Sequence, residues 1–187
     1  MPTVINSVNN AGFIHIPKTS GIFYSDYLCN KDSNNKIYYK KDINNIYAYH
    51  LAAFEFENDN YELTCIIRNP YDRFISAFLM TRTFHTYPGT TDGLDDAIDN
   101  NFLDITNSNH KENFICFFRP MVYFTHTKDL KKILVKNIIR FEDIIKEDFY
   151  KNDGYNNNHH FVLSDKAIKF INELYEQDFK EFNYDMK

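Results

Sequence analysis

The fold reading turns on residues 11–28, Ala11-Gly12-Phe13-Ile14-His15-Ile16-Pro17-Lys18-Thr19-Ser20-Gly21-Ile22-Phe23-Tyr24-Ser25-Asp26-Tyr27-Leu28. Ala11 to Ile16 is an apolar run broken only by His15 and stopped by Pro17, the pattern of a buried strand entering a loop. From Gly21 onward, Ile22, Phe23, Tyr24, Tyr27 and Leu28 cluster at helical rather than alternating spacing. The segment predicts strand, loop, helix. In an α/β sheet such a loop lies at the carboxyl end of a strand, where free helix N–H groups and the helix dipole favour an anion. Gly21 would let the backbone approach a phosphate and Lys18 would supply a mobile cation. An ordinary surface turn with a solvated lysine fits the same spacing, and the GxxxxGK[ST] pattern is absent.

The same unit recurs downstream. Leu63-Thr64-Cys65-Ile66-Ile67 is the clearest strand, and Pro70 suits the first turn of a following helix, where its missing N–H forfeits no bond. Tyr71 to Thr83 is that helix, with Phe74, Ile75, Phe78 and Leu79 on one face. Arg68 stands directly at the strand end and Ser76 about two turns further on. A guanidinium fork and a neutral hydroxyl placed this way can converge on one phosphate dianion. For Asp72 and Arg73 a place as surface or helix-terminal residues is the alternative to a site role, and it is favoured for Asp72.

Elsewhere, residues 30–45 read as polar surface connection, with Ile37-Tyr38-Tyr39 as a short strand. Tyr47 to Phe56 is a second short apolar stretch. Thr86 to Thr91 is a turn-rich loop, and Leu94, Ala97, Ile98 and Phe102 trace an amphipathic helix. Phe114 to Phe118 and Met121 to Phe124 are aromatic runs of undecided structure. Lys128 to Leu134 predicts helix, Asn137 to Phe141 a late strand, and Asn156 to His160 a polar loop. A final helix from about Asp165 to Phe179 begins at the cap Ser164 and turns Ile168, Ile171, Leu174, Tyr175 and Phe179 inward. Strands alternating with helices predict an α/β fold with a central, mainly parallel sheet flanked by helices.

The chain has 187 residues, a length suited to one domain spanning 1–187. Hydrophobic residues make up 43% and aromatics 17%, with 18 Phe and 14 Tyr, enough for a core. A net charge of −5 argues against a general nucleic-acid binder, which needs a basic face to displace counterions. Cys29, Cys65 and Cys116 form no CxxC pair or zinc spacing, so they read as buried thiols in a reducing compartment. The amino terminus lacks the charged and apolar regions of a signal peptide, and no stretch approaches the roughly 18 apolar residues of a membrane span. These features predict a cytoplasmic protein with no membrane anchor.

Phe13-Ile14-His15-Ile16-Pro17-Lys18-Thr19-Ser20-Gly21 resembles the 5′-phosphosulfate loop, HIPKTGGTS, of carbohydrate and heparan sulfate sulfotransferases. Ile67-Arg68-Asn69-Pro70-Tyr71-Asp72-Arg73-Phe74-Ile75-Ser76-Ala77-Phe78 resembles their 3′-phosphate motif, VRNPxxRxxSxY, and residues 174–184 are similar to their closing helix. The resemblance implies a three-layer, P-loop-like fold and a sulfuryl donor, 3′-phosphoadenosine-5′-phosphosulfate (PAPS). It implies Lys18 at the bridging oxygen, Pro17, Thr19, Ser20, Gly21 and Ile22 around the 5′-phosphate, and Arg68 with Ser76 at the 3′-phosphate. Ser20 replaces the first family glycine, and Ile22 and Phe23 stand where the family has Thr and Ser. Losing the hydroxyl at Ile22 removes a charge-assisted hydrogen bond worth about 1.5 to 3 kcal/mol.

Sulfuryl transfer needs in-line positioning of an acceptor hydroxyl and a cation over the leaving oxygen. A histidine is the usual base near neutral pH. His50, between the two motifs, resembles the histidine segment that precedes the 3′-phosphate strand in heparan sulfate sulfotransferases; a structural role beside its apolar neighbours fits equally. Glu55 and Glu57 are alternatives, while His15 reads as core, His159 and His160 as loop, and His85, His110 and His126 as lesser candidates. The chemistry needs no metal. The acceptor implied by the resemblance is a sugar hydroxyl, contacted by residues 86–92 and the aromatic run 114–124. Two other readings stand beside an active sulfotransferase: a catalytically impaired protein that binds PAPS or its product, and a P-loop kinase or nucleotide hydrolase.

Overall fold

The computed structural model of the chain describes residues 3–38, 50–81, 87–103, 115–144 and 161–187. Strands β1 (Thr3–Asn6), β2 (Ala11–Ile14), β3 (Asn35–Tyr38), β4 (Glu62–Ile67) and β5 (Asn137–Arg140) form one sheet in the order β3-β1-β2-β4-β5. β2 pairs in parallel with β4, and β4 with β5. β1 pairs antiparallel with both β2 and β3. The sheet is therefore mixed, not mainly parallel. The reason is local: residues 7–10 turn the chain back after β1, with Asn10 at φ 53 and the Asn6 carboxamide accepting from the N–H groups of Val8 and Asn9.

Helices are α1 (Gly21–Lys31), α2 (Pro70–Met80), α3 (Thr91–Asp99), α4 (Met121–Thr125), α5 (Phe141–Ile144), α6 (Asp165–Leu174) and α7 (Glu176–Glu181). Alternation along the strands sends side chains to both faces of the sheet. Ile5, Ile14, Leu63, Cys65 and Ile67 pack with the 3-10 turn Ala53–Phe56, α4 and Phe182. Val4, Phe13 and Ile66 pack against Phe23, Tyr24 and Leu28 of α1 and against Phe141 and Ile144. A third cluster joins α2, α3, α6 and α7. At its centre Phe74 meets Phe102, Phe118, Phe170 and Tyr175 at ring-centroid distances of 5.4 to 6.3 Å.

Three local expectations change. Residues 128–134 form a tight loop instead of a helix, because Leu130 adopts φ 60 and the Thr127 N–H donates to the Lys132 carbonyl at 2.8 Å. The closing helix begins on the Ser164 cap, whose hydroxyl accepts from Ala167 N–H at 3.0 Å, but breaks at Tyr175 (φ −117, ψ 24). There the buried Tyr175 hydroxyl donates to the Phe118 carbonyl at 3.0 Å. Arg73, for which a surface or helix-terminal place is one alternative, is fully buried, whereas Asp72 is exposed. Cys65 and Cys116 are buried and Cys29 half-buried, all as free thiols. Among the described residues no helix is long and apolar enough to cross a membrane. Tyr39, Tyr47 to Tyr49, His85, Thr86, His110, Phe114 and the segment Asn156 to His160 lie outside the described residues.

Residues 117–120 have little regular structure and lead into α4, and buried side chains hold the stretch from 117 to 122. The Asp178 carboxylate accepts from the N–H groups of Met121 (2.7 Å) and Val122 (2.9 Å). Burial raises its pKa to about 6, with the Arg73 charge and these two bonds pulling the other way. Asp178→Ala orphans both donors, each costing about 1–3 kcal/mol. Urea denaturation at pH 7 should show a lower midpoint, and an unchanged midpoint would dismiss the clamp.

Candidate functional site

The chain leaves the carboxyl end of β2 toward β3 on one side of the sheet, and leaves β4 toward β5 on the other. β2 and β4 are adjacent and parallel, in register Ile14↔Cys65, so their ends form a topological switch point, the usual ligand crevice of an open α/β sheet. Pro17 to Gly21 follow the first strand, and Arg68 follows the second. The two segments touch: Arg68 Nη1 donates to the Lys18 carbonyl at 3.4 Å. The Arg68 guanidinium also lies over the Phe141 ring, 4.7 Å from its centroid.

α2 supplies the adjoining wall. Arg73 Nε donates to the Pro17 carbonyl at 3.0 Å, and Met80 Sδ lies 3.1 Å from Lys18 Nζ. Ser76 stands three residues after Arg73 and four before Met80, so all three share one helix face, and the half-buried Ser76 is flanked by the two side chains that meet the loop. Sequence reasoning paired Ser76 with Arg68 and gave Arg73 no role, although the second arginine of the motif VRNPxxRxxSxY falls on it and it shares this face.

The loop itself is held from below. Thr19 is buried and its hydroxyl donates to the Ile16 carbonyl at 2.9 Å. Gly21 is fixed by packing: a Cβ there would lie 1.8 Å from His15 Cδ2, and His15 is only 3% exposed. The glycine thus seats the helix start on the imidazole, a reason beyond backbone approach to a phosphate. Lys18 (φ 68) and Ser20 (φ 63) both adopt the left-handed conformation, so Ser20 keeps a backbone that glycine adopts at no steric cost. Ile22 projects from the first turn, 49% exposed. α2, α3 and α6 each have a side-chain N-cap, from Asn69, Thr90 and Ser164; α1 has none, and no acid in its first turn.

Burial, and then the neighbouring Arg68 charge, lower the Lys18 pKa to about 8. Two cations crowded at a helix start that lacks a side-chain cap favour an anion, which would relieve the repulsion and lie at the positive end of the helix dipole. His50 packs against His15, with ring centroids 4.6 Å apart, His50 Nδ1 3.4 Å from the His15 carbonyl, and the Phe117 ring edge-on at 6.0 Å. Burial chiefly lowers its pKa to about 4, the Arg73 charge adding to the effect and the His15 contact opposing it. Glu55 and Glu57 are exposed on and just after the 3-10 turn. His126 is buried, with Nδ1 2.8 Å from Thr125 Oγ1 and Nε2 3.6 Å from Glu181. Among the described residues no cluster of three His, Cys, Asp or Glu could hold a metal.

A separate cavity of about 420 Å³ lies at the amino end of β2 and carboxyl end of α1, lined by Asn6, Phe13, Tyr24, Leu28, Asp32 and Asn35 among others. It shares no residue with the loop. Its amides are committed to one another, since Asn6 donates to Asp32 and to Asn35, each at 2.9 Å.

Comparison of the chain with family models, curated proteins and solved structures returned no match.

Two measurements follow from this geometry. Ser20→Gly should raise stability by about 0.5–1 kcal/mol, because it removes left-handed strain and gives part of that back as unfolded-chain entropy; a loss of stability would show that the serine side chain has a compensating role. For His50 the folded pKa lies below the unfolded 6.5, so below pH 6.5 the unfolded chain takes up a proton that the folded chain refuses. Stability contributed by neutral His50 is lost as pH falls from about 6.5 to about 4, by roughly 3 kcal/mol at most. The buried Asp178, with its raised pKa, runs oppositely between 3.8 and about 6, so the wild type must be compared with His50→Gln across this range. Parallel stability curves would rule out a buried neutral His50.

Proposed function

We propose that this chain binds a nucleotide phosphorylated at both the 3′ and 5′ positions, PAPS or adenosine 3′,5′-bisphosphate, and transfers the sulfuryl group of PAPS to an acceptor hydroxyl, on a sugar. The reading places the chain in a three-layer, P-loop-like class with the added β1–β2 hairpin. The observation that carries it is the meeting of two basic segments, Lys18 after β2 and Arg68 after β4, at the sheet's switch point. In this reading the uncapped start of α1 and the backbone of Thr19 to Ile22 receive the 5′-phosphate. Arg68, over Phe141, and Ser76 receive the 3′-phosphate as fork and neutral donor.

In the transfer, the acceptor oxygen attacks sulfur from the side opposite the bridging oxygen. The bond from sulfur to that oxygen breaks, and its electron pair stays on the 5′-phosphate. Lys18 stabilises the charge gathering there; with a pKa of about 8 it is still mostly cationic at neutral pH. The acceptor's proton passes to His50. A pKa of about 4 makes His50 a weak base in the unliganded chain, and this favours the second reading, a nucleotide-binding protein with impaired turnover. An anion bound nearby would raise the basicity of His50.

A ligand that binds only the folded state stabilises it by RT ln(1 + [L]/Kd), about 2.7 kcal/mol at one hundred times Kd. Adenosine 3′,5′-bisphosphate should therefore raise the melting temperature well beyond 5′-AMP or ATP, and Arg68→Ala should abolish that preference. Equal responses to all three nucleotides would sink the 3′-phosphate assignment. Labelled sulfate transfer to a sugar panel, with Lys18→Ala as control, separates the enzyme from the impaired binder.

A further inference from the structure

Arg73 is 0% exposed, yet it is not spent on an ion pair at the surface of α2. Its Nε donates to the Pro17 carbonyl at 3.0 Å, and its Nη2 to the carbonyls of Phe117 (3.3 Å) and Arg119 (2.7 Å). These acceptors belong to two segments, 56 and 44 to 46 residues from it in sequence. One is the phosphate loop. The other presents Phe117 to His50 and is held at its next residues by Tyr175 and Asp178. A buried cation is costly unless its donors are satisfied, and Arg73 Nη1 is already buried without a hydrogen-bond partner among the described residues, so losing any of the three carbonyl contacts would deepen that cost and relaxation at either segment is resisted.

We propose that Arg73 is a positioning residue for sulfuryl transfer, one that fixes the phosphate loop and the 117–119 segment relative to each other and so sets the spacing between bound nucleotide and acceptor. The inference rests on the nucleotide-binding reading and adds a residue to it: Arg73 acts through the Pro17 carbonyl and touches no ligand. Its planar fork spans the two segments, and a lysine ammonium, a single point of donation, cannot hold both with the same geometry.

The test compares wild type, Arg73→Lys and, as a core control on the same helix, Phe78→Leu, whose ring packs against Phe102 and Phe161. Two properties are read. The first needs no nucleotide: the pH dependence of Lys18 amine labelling, resolved by mass spectrometry. Its midpoint, about 8 in wild type, should move toward the ordinary lysine value of 10.5 in Arg73→Lys as the loop relaxes into water, and stay near 8 in Phe78→Leu. The second is affinity for adenosine 3′,5′-bisphosphate, expected to fall at least tenfold further in Arg73→Lys than in Phe78→Leu. Because Arg73→Lys could fail to fold, amide exchange on the wild type supplies an independent arm: the nucleotide should slow exchange in residues 115–122 together with 17–22. An unchanged Lys18 midpoint in a folded Arg73→Lys overturns the proposal, as do equal affinity losses in the two variants or protection confined to 17–22. Failure of wild type to bind the nucleotide overturns the functional reading instead, and the labelling midpoint still decides whether Arg73 positions the loop.

Discussion

A guanidinium removed from water, with three backbone carbonyls as its hydrogen-bond acceptors, is the constraint on which the rest of this structure depends. Arg73 joins the loop after β2 to the segment before α4, and neither piece is regular enough to hold itself by a ladder of its own. Around it Tyr175 bonds the Phe118 carbonyl and Asp178 bonds Met121 and Val122. Five backbone groups between residues 117 and 122 are thus held by side chains from α2 and the carboxyl-terminal helices. The break between α6 and α7 at Tyr175 belongs to the same construction, since it turns a helical repeat into a change of direction. The polar network is expensive to bury and cooperative once satisfied, which suits a task of fixing irregular backbone.

What could be read from the sequence was whatever had a local cause. β2 with its loop and α1, β4 with Pro70 and α2, β5, and the Ser164 cap all carry their signals within a few residues. β1 escaped because Thr3 to Asn6 make only four residues, and pairing, rather than pattern, makes them a strand; Asn9-Asn10 before Ala11 was the available turn signal. That omission is why the sheet was expected to be mainly parallel. Residues 128–134 have a helix-like composition, but Leu130 at φ 60 answers to the turn that returns the chain to β5. Arg73 falls on the second arginine of the motif VRNPxxRxxSxY, but its burial and its partners could not be read from sequence. An arginine on an amphipathic helix is normally solvated, and only partners far along the chain make this one internal.

Of the candidate site, Lys18, Arg68 and Ser76 were legible as types and spacing, and the fold brings their segments to one crevice. The meaning of Gly21 was legible only in part. A glycine before a helix suggests close approach by a ligand, yet its Cα already approaches the His15 ring so closely that no side chain fits. Thus His15, which reads as a core residue in the strand, sets the height at which α1 begins. His50 packs against the same ring, with centroids 4.6 Å apart, so one buried imidazole touches both the start of the helix and the candidate base.

The costs stored in the loop share a remedy. Lys18 and Ser20 sit in left-handed backbone without being glycine, Lys18 and Arg68 oppose each other's charge, and the first turn of α1 has no side-chain cap. Each could have been relieved by sequence alone: glycines at two positions, a neutral residue at one, a serine or aspartate cap placed to reach the first N–H groups. An acidic cap would also have satisfied both cations. A chain selected only to fold has no reason to keep all of these together at the carboxyl ends of two adjacent parallel strands. An anion entering from outside would remove the repulsion and meet the positive end of the α1 dipole at once, at a switch point where α/β sheets take their ligands. In the nucleotide-binding reading proposed above, the strain would be preorganisation for that anion, fixed before it arrives by the buried guanidinium that bonds the Pro17 carbonyl.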